Sequence, residues 1–567
     1  MRSRNKLKVI VLLALLLFPN FYALFAASDL SSPAKAGVYI LVACMGLALP
    51  MLFLRRRTYF IVMGVLCLFC APIEIASLYL NHNPATGTFI GLFYATNLQE
   101  IMGVVGAIWP LLVLLVAIWI VYFIIATHMP DDWIISRKVG LWFAGIGLPL
   151  LFGGGMFFFS RYARNIYRMQ DTKEVLAFAK DLTLMKFYKI FPYNIYLNTY
   201  HIFADYRAMN QTQKVLGSFC FGLEAQKDSL PELYILVIGE AARSGNFALN
   251  GYCRPTTPCL SKRKNIVCFP NIYSQAGTTE QSVPHMISRI PITYHDRINE
   301  EKTLPEAFQE AGFEVAWLTN QSRILHLRRV LEVVDKRYET GKDMSTNNNY
   351  DELLLQPLRE ILANGKNKQF IVLHTMGSHW RYDRRYTSDF EQFTPTLGND
   401  FRLSMISPSN KQLLLNAYDN TILYTDYFLD SLISILAGQH VPTLMLYMSD
   451  HGENLYDDER LLVLHGNYST SKWLFHVPLI VWYSDEYAAL HPEKTNQLCK
   501  HIEYKDNSSL IFPSMLDAAG IEYINDTANS AIMRTRSIFS QGYTPLATLY
   551  VMTAEEECIV LNEEVGI

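Results

Sequence analysis

Leu444-Met445-Leu446-Tyr447-Met448-Ser449-Asp450-His451-Gly452-Glu453 is the stretch whose reading decides the fold. Its apolar run does not alternate, as expected of a strand buried on both faces, and it stops at a string of acidic, imidazole and turn residues. The same pattern recurs upstream. Leu233–Ile238 runs into Gly239-Glu240 and then Arg243, while Phe370–Leu373 runs into His374 and then Gly377-Ser378-His379. Phe313–Leu318 and Val477–Trp482 are further runs of this kind. Helical stretches lie between them. Thr303-Leu304-Pro305-Glu306 has capping-box spacing and opens a helix ending at Gly312, and Leu413–Leu436 is a longer amphipathic one. Short buried strands alternating with helices predict an α/β domain with a mainly parallel sheet. In such sheets ligands collect at the carboxyl ends of the strands.

The residues expected at those ends share a chemistry. Carboxylate oxygens and imidazole nitrogens suit zinc, and a catalytic zinc site keeps one position for a reacting oxygen. Glu240, Asp450 and His451, with Leu464-His465-Gly466 following closely, supply such donors. Each piece alone also fits a hydrogen-bonded structural role, so the expectation rests on their joint appearance at successive strand ends. A hydroxyl comes from Ala276-Gly277-Thr278-Thr279-Glu280-Gln281-Ser282-Val283-Pro284. Gly277 permits a tight turn, and the residues after Thr278 can start a helix. A hydroxyl there faces orphan N–H groups that favour a phosphoryl oxygen, and a divalent cation would lower its pKa. Taken alone, Thr278 also reads as a helix N-cap.

The first 160 or so residues are far more apolar than the rest. Five segments approach the ~20 residues needed to cross a bilayer: Val9–Ala27, Ala36–Leu54, Thr58–Leu80, Ile101–Thr127 and Val139–Ser160. Arg2, Arg4, Lys6 and Lys8, then Arg55–Arg57, then Arg137 and Lys138 flank alternate ends, and the intervening loops carry only Lys35. The positive-inside rule therefore puts the N-terminus in the cytoplasm and the C-terminal part outside, against the mild counter-signal of Arg161, Arg164 and Arg168. A cleaved signal peptide at the first span is the lesser reading. Apart from Glu74 and Glu100, both near span ends, the spans hold almost no ionisable residues, which argues against a coupled transporter. The expected domains are 1–160 in the membrane, 161–230 as a bridge along its surface, and 231–567 as the exported α/β domain.

The chain's net charge of −3 offers no basic face for nucleic acid. Six cysteines, Cys220, Cys253, Cys259, Cys268, Cys499 and Cys558, fall in a part expected to be outside, where disulfides are permitted. Cys259 with Cys268 is the pairing expected here, and no zinc-type CxxC pairs occur.

Gly239-Glu240-x-x-Arg243, Asn246-Phe247 through Gly251-Tyr252, Arg254-Pro255-Thr256-Thr257-Pro258, Gly277-Thr278, Ser282-Val283-Pro284, Gly377-Ser378-His379, Ser449 to Glu453 and Leu464-His465-Gly466 occur in that order. In this set the chain resembles the phosphoethanolamine transferases, a family of the alkaline phosphatase and sulfatase superfamily. Five spans followed by a periplasmic catalytic domain are that family's architecture.

The resemblance implies a bacterial inner-membrane enzyme that moves phosphoethanolamine from phosphatidylethanolamine to a lipopolysaccharide acceptor, lipid A or core, with the link to polymyxin resistance that lipid A modification carries. It implies that Glu240, Thr278, Asp450 and His451 bind zinc, and that Thr278 forms a covalent phospho-threonine. His379 and His465 match histidines that hold the substrate phosphate or a second zinc. Glu453 and His374 match further active-site positions, Asn320, Gln321 and Ser322 a substrate-binding loop, and Arg243 another substrate-side position. A monomer is expected. Thr319 and Arg323 depart from the acidic residue and lysine that the lipid A-modifying branch carries near that loop, while Tyr350-Asp351, Ser449–Tyr456 and Trp482–Pro492 look closer to the core-modifying branch. The rival readings are a lipoteichoic-acid-type glycerol-phosphate transferase, a sulfatase and a non-catalytic membrane protein. A sulfatase needs a motif Cys/Ser-x-Pro/Ala-x-Arg, and Cys253-Arg254-Pro255-Thr256-Thr257 lacks the arginine in its fifth place.

Overall fold

The architecture comes from a computed structural model. It describes residues 2–27, 33–81, 84–85, 89–90, 98–142, a few positions between 145 and 176, 190–200, 202–203, 216–225, 230–321, 327–340, 350–398, 407–465, 471–524, 526–553 and 556–561. The chain divides into two units, Met1–Tyr94 with Ile108–Asp205 and Ala95–Ala107 with Tyr206–Ile567.

Four helices fall on the first four expected spans: α1 (Arg2–Ala26), α2 (Pro33–Ala48) and α3 (Arg56–Asn81) in the first unit, and α4 (Leu98–Thr127), whose residues from Ile108 on belong to that unit. Among the described residues, two stretches, Asn5–Ala26 and Arg56–Tyr79, are long and apolar enough to cross a membrane. Most of the fifth expected span and of the 161–230 bridge lies outside the described residues. Buried tyrosines here turn to helix carbonyls: Tyr59 Oη donates to Leu47 O at 2.9 Å and Tyr122 Oη to Phe60 O at 2.8 Å.

The second unit is built on an eight-stranded sheet, counted among the described residues. In chain order its strands are β2 (Glu232–Gly239), β3 (Ile266–Tyr273), β4 (Glu314–Thr319), β5 (Lys336–Glu339), β6 (Lys368–His374), β7 (Thr443–Ser449), β8 (His476–Tyr483) and β9 (Asp506–Asn507), after a short β1 (Leu223–Ala225) that pairs elsewhere. The spatial order is β5-β4-β6-β2-β7-β8-β3-β9, and only β8 runs against the rest, so the sheet is mixed. All five apolar runs read from the sequence are strands. Every residue of β2 and β7 is buried, as an unalternating run predicts. β3 escaped the reading because Pro270 interrupts it, and the register shifts between Phe269 and Ile272.

Register positions the site. Ile238 of β2 lies opposite His374 of β6, which lies opposite Thr319 of β4, while Gly239 lies opposite Ser449 of β7. Four strands therefore end in one row, and the residues after them share one edge. Leu304–Glu310 forms the expected helix, with Glu306 Oε2 accepting from Thr303 N at 2.8 Å and Thr303 Oγ1 at 2.9 Å. The long amphipathic stretch is a helix at Lys411–Ala437. The expected Cys259–Cys268 bridge is absent: all nine cysteines are thiols. Cys268 Sγ donates to Asn250 Oδ1 at 2.9 Å, whereas the backbone of Cys259 is held by Asp426 Oδ2 at 2.7 Å.

Candidate active site

The row of strand ends is tied together by backbone. Asp450 N donates to Gly239 O at 3.0 Å, Thr375 N to Ile238 O at 3.0 Å and Asn320 N to His374 O at 2.9 Å. Glu240, Asp450 and His451 therefore meet, and all three are buried. His451 Nε2 lies 3.4 Å from Glu240 Oε1 and 3.5 Å from Asp450 Oδ2. His451 Nδ1 faces Gly452 O at 2.7 Å and must donate to it, which leaves the Nε2 lone pair directed at the carboxylates.

Gly452 is required for this turn, because a Cβ there would sit 2.0 Å from Trp473 O. A Cβ on Gly377 would come within 2.8 Å of Glu240 O, and its φ of +43° favours glycine as well.

The hydroxyl at this cluster belongs to Thr279. Its Oγ1 lies 3.0 Å from Glu240 Oε2 and 3.2 Å from His451 Nε2. Thr278, the residue the sequence pointed to, is the N-cap of the helix Thr279–Met286, with extended backbone at φ −145° and ψ 148°. Its Oγ1 donates instead to Gln281 Oε1 at 3.2 Å. The Thr-x-x-Gln spacing is that of a capping box, a signal in the sequence that marks Thr278 as the cap and leaves Thr279 as the first helical residue.

Electrostatics show what the cluster lacks. Burial, and then repulsion from Glu240, pushes the Asp450 carboxyl up to about 7. Burial would likewise raise Glu240, but the close approach and charge of His451 hold it below the usual carboxylate range. Burial opposes charge on His451, yet Asp450 and Glu240 raise it to about 10. Two carboxylates thus share one imidazolium in a buried site, and a further cation is the natural counter-charge.

The donors fit zinc. Glu240 Oε1 and Asp450 Oδ2 are buried and have no hydrogen-bond partner. Four ligands about 2.0 Å from a tetrahedral zinc lie about 3.3 Å apart, and the separations from His451 Nε2 are 3.2, 3.4 and 3.5 Å. Ligand atoms of Glu240, His451 and His465 also lie within 4.8 Å of one another.

The other expected residues divide into two sets. His465 Nδ1 is held by both oxygens of Glu453 at 3.2 Å, and its ring is 4.4 Å from that of His451. The His379 ring is 6.1 Å from that of His465, so three imidazoles line one side of the cluster. Gln321 Nε2 donates to Glu240 Oε2 at 2.7 Å and Thr375 O at 2.9 Å, which fixes the carboxylate. Asn320 works one step further out, through Asp351. Asp351 accepts from Asn320 Nδ2 at 2.8 Å, Met376 N at 2.7 Å and Gly377 N at 2.9 Å, and so holds the loop leading to His379. The sequence reading used Asp351 only as a marker of the core-modifying branch.

His374 is buried, its ring edge-on to Trp317, and burial lowers its pKa to about 4, so it is neutral. Arg243 points elsewhere: it grips Asp457 at 2.9 and 3.2 Å and lies over the Trp473 ring at 4.3 Å. Ser322 and Arg323 lie outside the described residues.

The Sulfatase family model matches residues 232–521, half of the chain, and the chain belongs to that family. Within it, the chain is similar to phosphoethanolamine transferases. It is 33% identical to phosphoethanolamine transferase EptA of Escherichia coli K12 over 55% of this chain and 57% of that protein. It is 34% identical to EptA of Helicobacter pylori over 50% of this chain and 52% of that one. The matches thus span little more than half the length of these relatives.

Among solved structures, the soluble domain of lipooligosaccharide phosphoethanolamine transferase A from Neisseria meningitidis is 30% identical, with a TM-score of 0.50, covering 57% of this chain and 97% of that one. The integral membrane protein EptA from the same organism superposes with a TM-score of 0.62 over 85% of both chains at 22% identity, a likeness of fold.

Proposed function

We propose that the protein transfers phosphoethanolamine from phosphatidylethanolamine to a lipopolysaccharide acceptor through a covalent phospho-threonine on Thr279. The observation that carries this reading is the placement of a threonine hydroxyl, at a helix N-terminus, against the buried Glu240–His451 pair. On this reading the chain spans the bacterial inner membrane five times, with 1–160 in the bilayer, 161–230 along its outer surface and 231–567 in the periplasm.

Glu240, Thr279, Asp450 and His451 would hold one zinc, and His465 and His379 would face the phosphoryl group or a second ion. Bound there, zinc supplies positive charge that favours the ionised threonine oxygen and offsets charge on the phosphoryl oxygens. Thr279 Oγ1 attacks the phosphorus of the donor. The bond from phosphorus to the diacylglycerol oxygen breaks, and that oxygen leaves as diacylglycerol with the proton that Thr279 gives up. An acceptor oxygen then attacks the same phosphorus from the side opposite Thr279 Oγ1, the bond from phosphorus to Oγ1 breaks, and the acceptor's proton returns to Thr279. Gln321 keeps Glu240 in place, and the Glu453–His465 pair orients the imidazole beside the reacting group.

Intact-mass spectrometry of the detergent-purified protein, incubated with phosphatidylethanolamine and zinc, tests the reading. A gain of one phosphoethanolamine unit, located by peptide mapping to Thr279, is expected. A glycerol-phosphate adduct from phosphatidylglycerol, or no adduct with either lipid, would overturn it.

A further inference from the structure

The first unit holds a second buried polar cluster that the reaction above does not use. Glu74 on α3 is fully buried, Ser77 stands one turn further along the same helix at 1% exposure, and Asn194 is fully buried beside them. Glu74 Oε2 accepts from Asn194 Nδ2 at 2.6 Å and from Ala85 N at 3.1 Å. These bonds settle which end of the Asn194 amide is which, and they leave Glu74 Oε1, Asn194 Oδ1 and Ser77 Oγ buried without a hydrogen-bond partner. No ion pair reaches Glu74 among the described residues. A carboxylate in a helix long and apolar enough to cross a membrane is costly unless a charge meets it, and such residues mark sites.

The occupant is constrained by this inventory. Glu74 Oε1 and Asn194 Oδ1 are acceptors, Ser77 Oγ can accept as well, and a carboxylate asks for a positive charge with donors on it. A primary ammonium supplies both, whereas water brings two donors and no charge, and a quaternary ammonium brings charge without donors. Glu74 lies seven residues before the end of α3 at Asn81, about 10 Å along the helix at 1.5 Å per residue. Glu74 thus lies near one end of the apolar stretch Arg56–Tyr79 rather than at its middle. We propose that Glu74, Ser77 and Asn194 form a binding site for a primary ammonium, that of the ethanolamine headgroup of the donor lipid. The proposal rests on the reading that phosphatidylethanolamine is the donor.

Native mass spectrometry of the full-length protein, titrated with dioleoyl-phosphatidylethanolamine and dioleoyl-phosphatidylcholine, tests it without any variant. The wild type is expected to bind the primary-amine lipid at least tenfold more tightly. Glu74→Gln should bring the ratio near one and Ser77→Ala should lower it severalfold, and both should raise KM for the donor more than they lower kcat. Equal binding of the two lipids by the wild type would overturn the site, as would unchanged selectivity in Ser77→Ala together with a folded Glu74→Gln. Displacement of the bound lipid by millimolar free ethanolamine would move the site to soluble amines and overturn the lipid assignment. The two readings fail separately. Selectivity without any Thr279 adduct removes the transfer reaction and leaves the site, whereas an adduct formed by Glu74→Gln with unchanged KM removes the site and leaves the reaction.

Discussion

Thr278 and Thr279 are adjacent, chemically identical and differently placed, so exchanging each for valine isolates the reacting oxygen. Valine keeps the shape and removes only the hydroxyl. In Thr279→Val, Glu240 Oε2 loses one donor at 3.0 Å but keeps Gln321 Nε2 at 2.7 Å. The stability cost should therefore stay near that of one hydrogen bond, about 1 kcal/mol. Loss of a nucleophile, by contrast, removes the covalent route altogether, roughly 10⁴-fold or more in kcat. In Thr278→Val the lost contact is the 3.2 Å bond to Gln281. That change costs at most about 1 kcal/mol, one side-chain hydrogen bond, and activity should stay within tenfold of wild type. The assay is the intact-mass adduct measured beside diacylglycerol release, with thermal melting as the control for folding. If Thr279→Val forms the adduct and Thr278→Val does not, the assignment of roles along this helix is reversed and the geometric argument fails.

Gln321→Leu removes the donor that fixes Glu240 Oε2. Zinc affinity, read by competition with a chromogenic chelator, should fall about 10- to 100-fold, and an unchanged affinity would show that the amide is idle. Gly377→Ala places a Cβ 2.8 Å from Glu240 O at a φ of +43°. The melting temperature should drop by the equivalent of about 2 kcal/mol with activity lost alongside, and a neutral result would refute the close approach.

Asp426 is fully buried, and its pKa is raised from 3.8 to about 6, by burial first. A raised folded pKa means that the group's contribution is complete below 3.8 and is lost as pH rises through about 6, in all about 3 kcal/mol. The apparent melting temperature of Asp426→Asn should accordingly depend less steeply on pH between 4 and 6 than that of the wild type. Parallel profiles would refute the assignment.

Much of this was legible in the sequence because the central strands have no polar face. β2 and β7 are buried throughout, so their runs could be recognised without alternation, and the residues ending them had to share an edge once the strands paired in parallel. The capping box at Thr303 was equally local. Elements whose signals depend on distant partners were not legible. β3 contains a proline and is half-buried, and only its pairing with β8 makes it a strand. Asp351 carries no local mark of its role, because its three donors come from residues distant in sequence. The Gly277-Thr278 pattern pointed to Thr278, whereas the hydroxyl beside Glu240 is that of Thr279. Arg243 follows a strand end as Glu240 does, yet its partner Asp457 comes from a loop 214 positions away.

The shared edge also explains why Glu240 and Asp450 can be adjacent at all. Left with protons alone, the cluster must keep one on His451, since two ionised carboxylates beside a neutral imidazole would be uncompensated in a buried site. That proton occupies the lone pair that His451 Nδ1, by donating to Gly452 O, leaves free on Nε2. A metal ion must displace it to bind, so binding should release protons and weaken as pH falls. Thr279, 3.2 Å from the same nitrogen, shares that constraint. A hydroxyl held by a protonated imidazole and a carboxylate is a hydrogen-bonded side chain, and on the proposed reading replacing the proton by a divalent cation would make its oxygen a nucleophile.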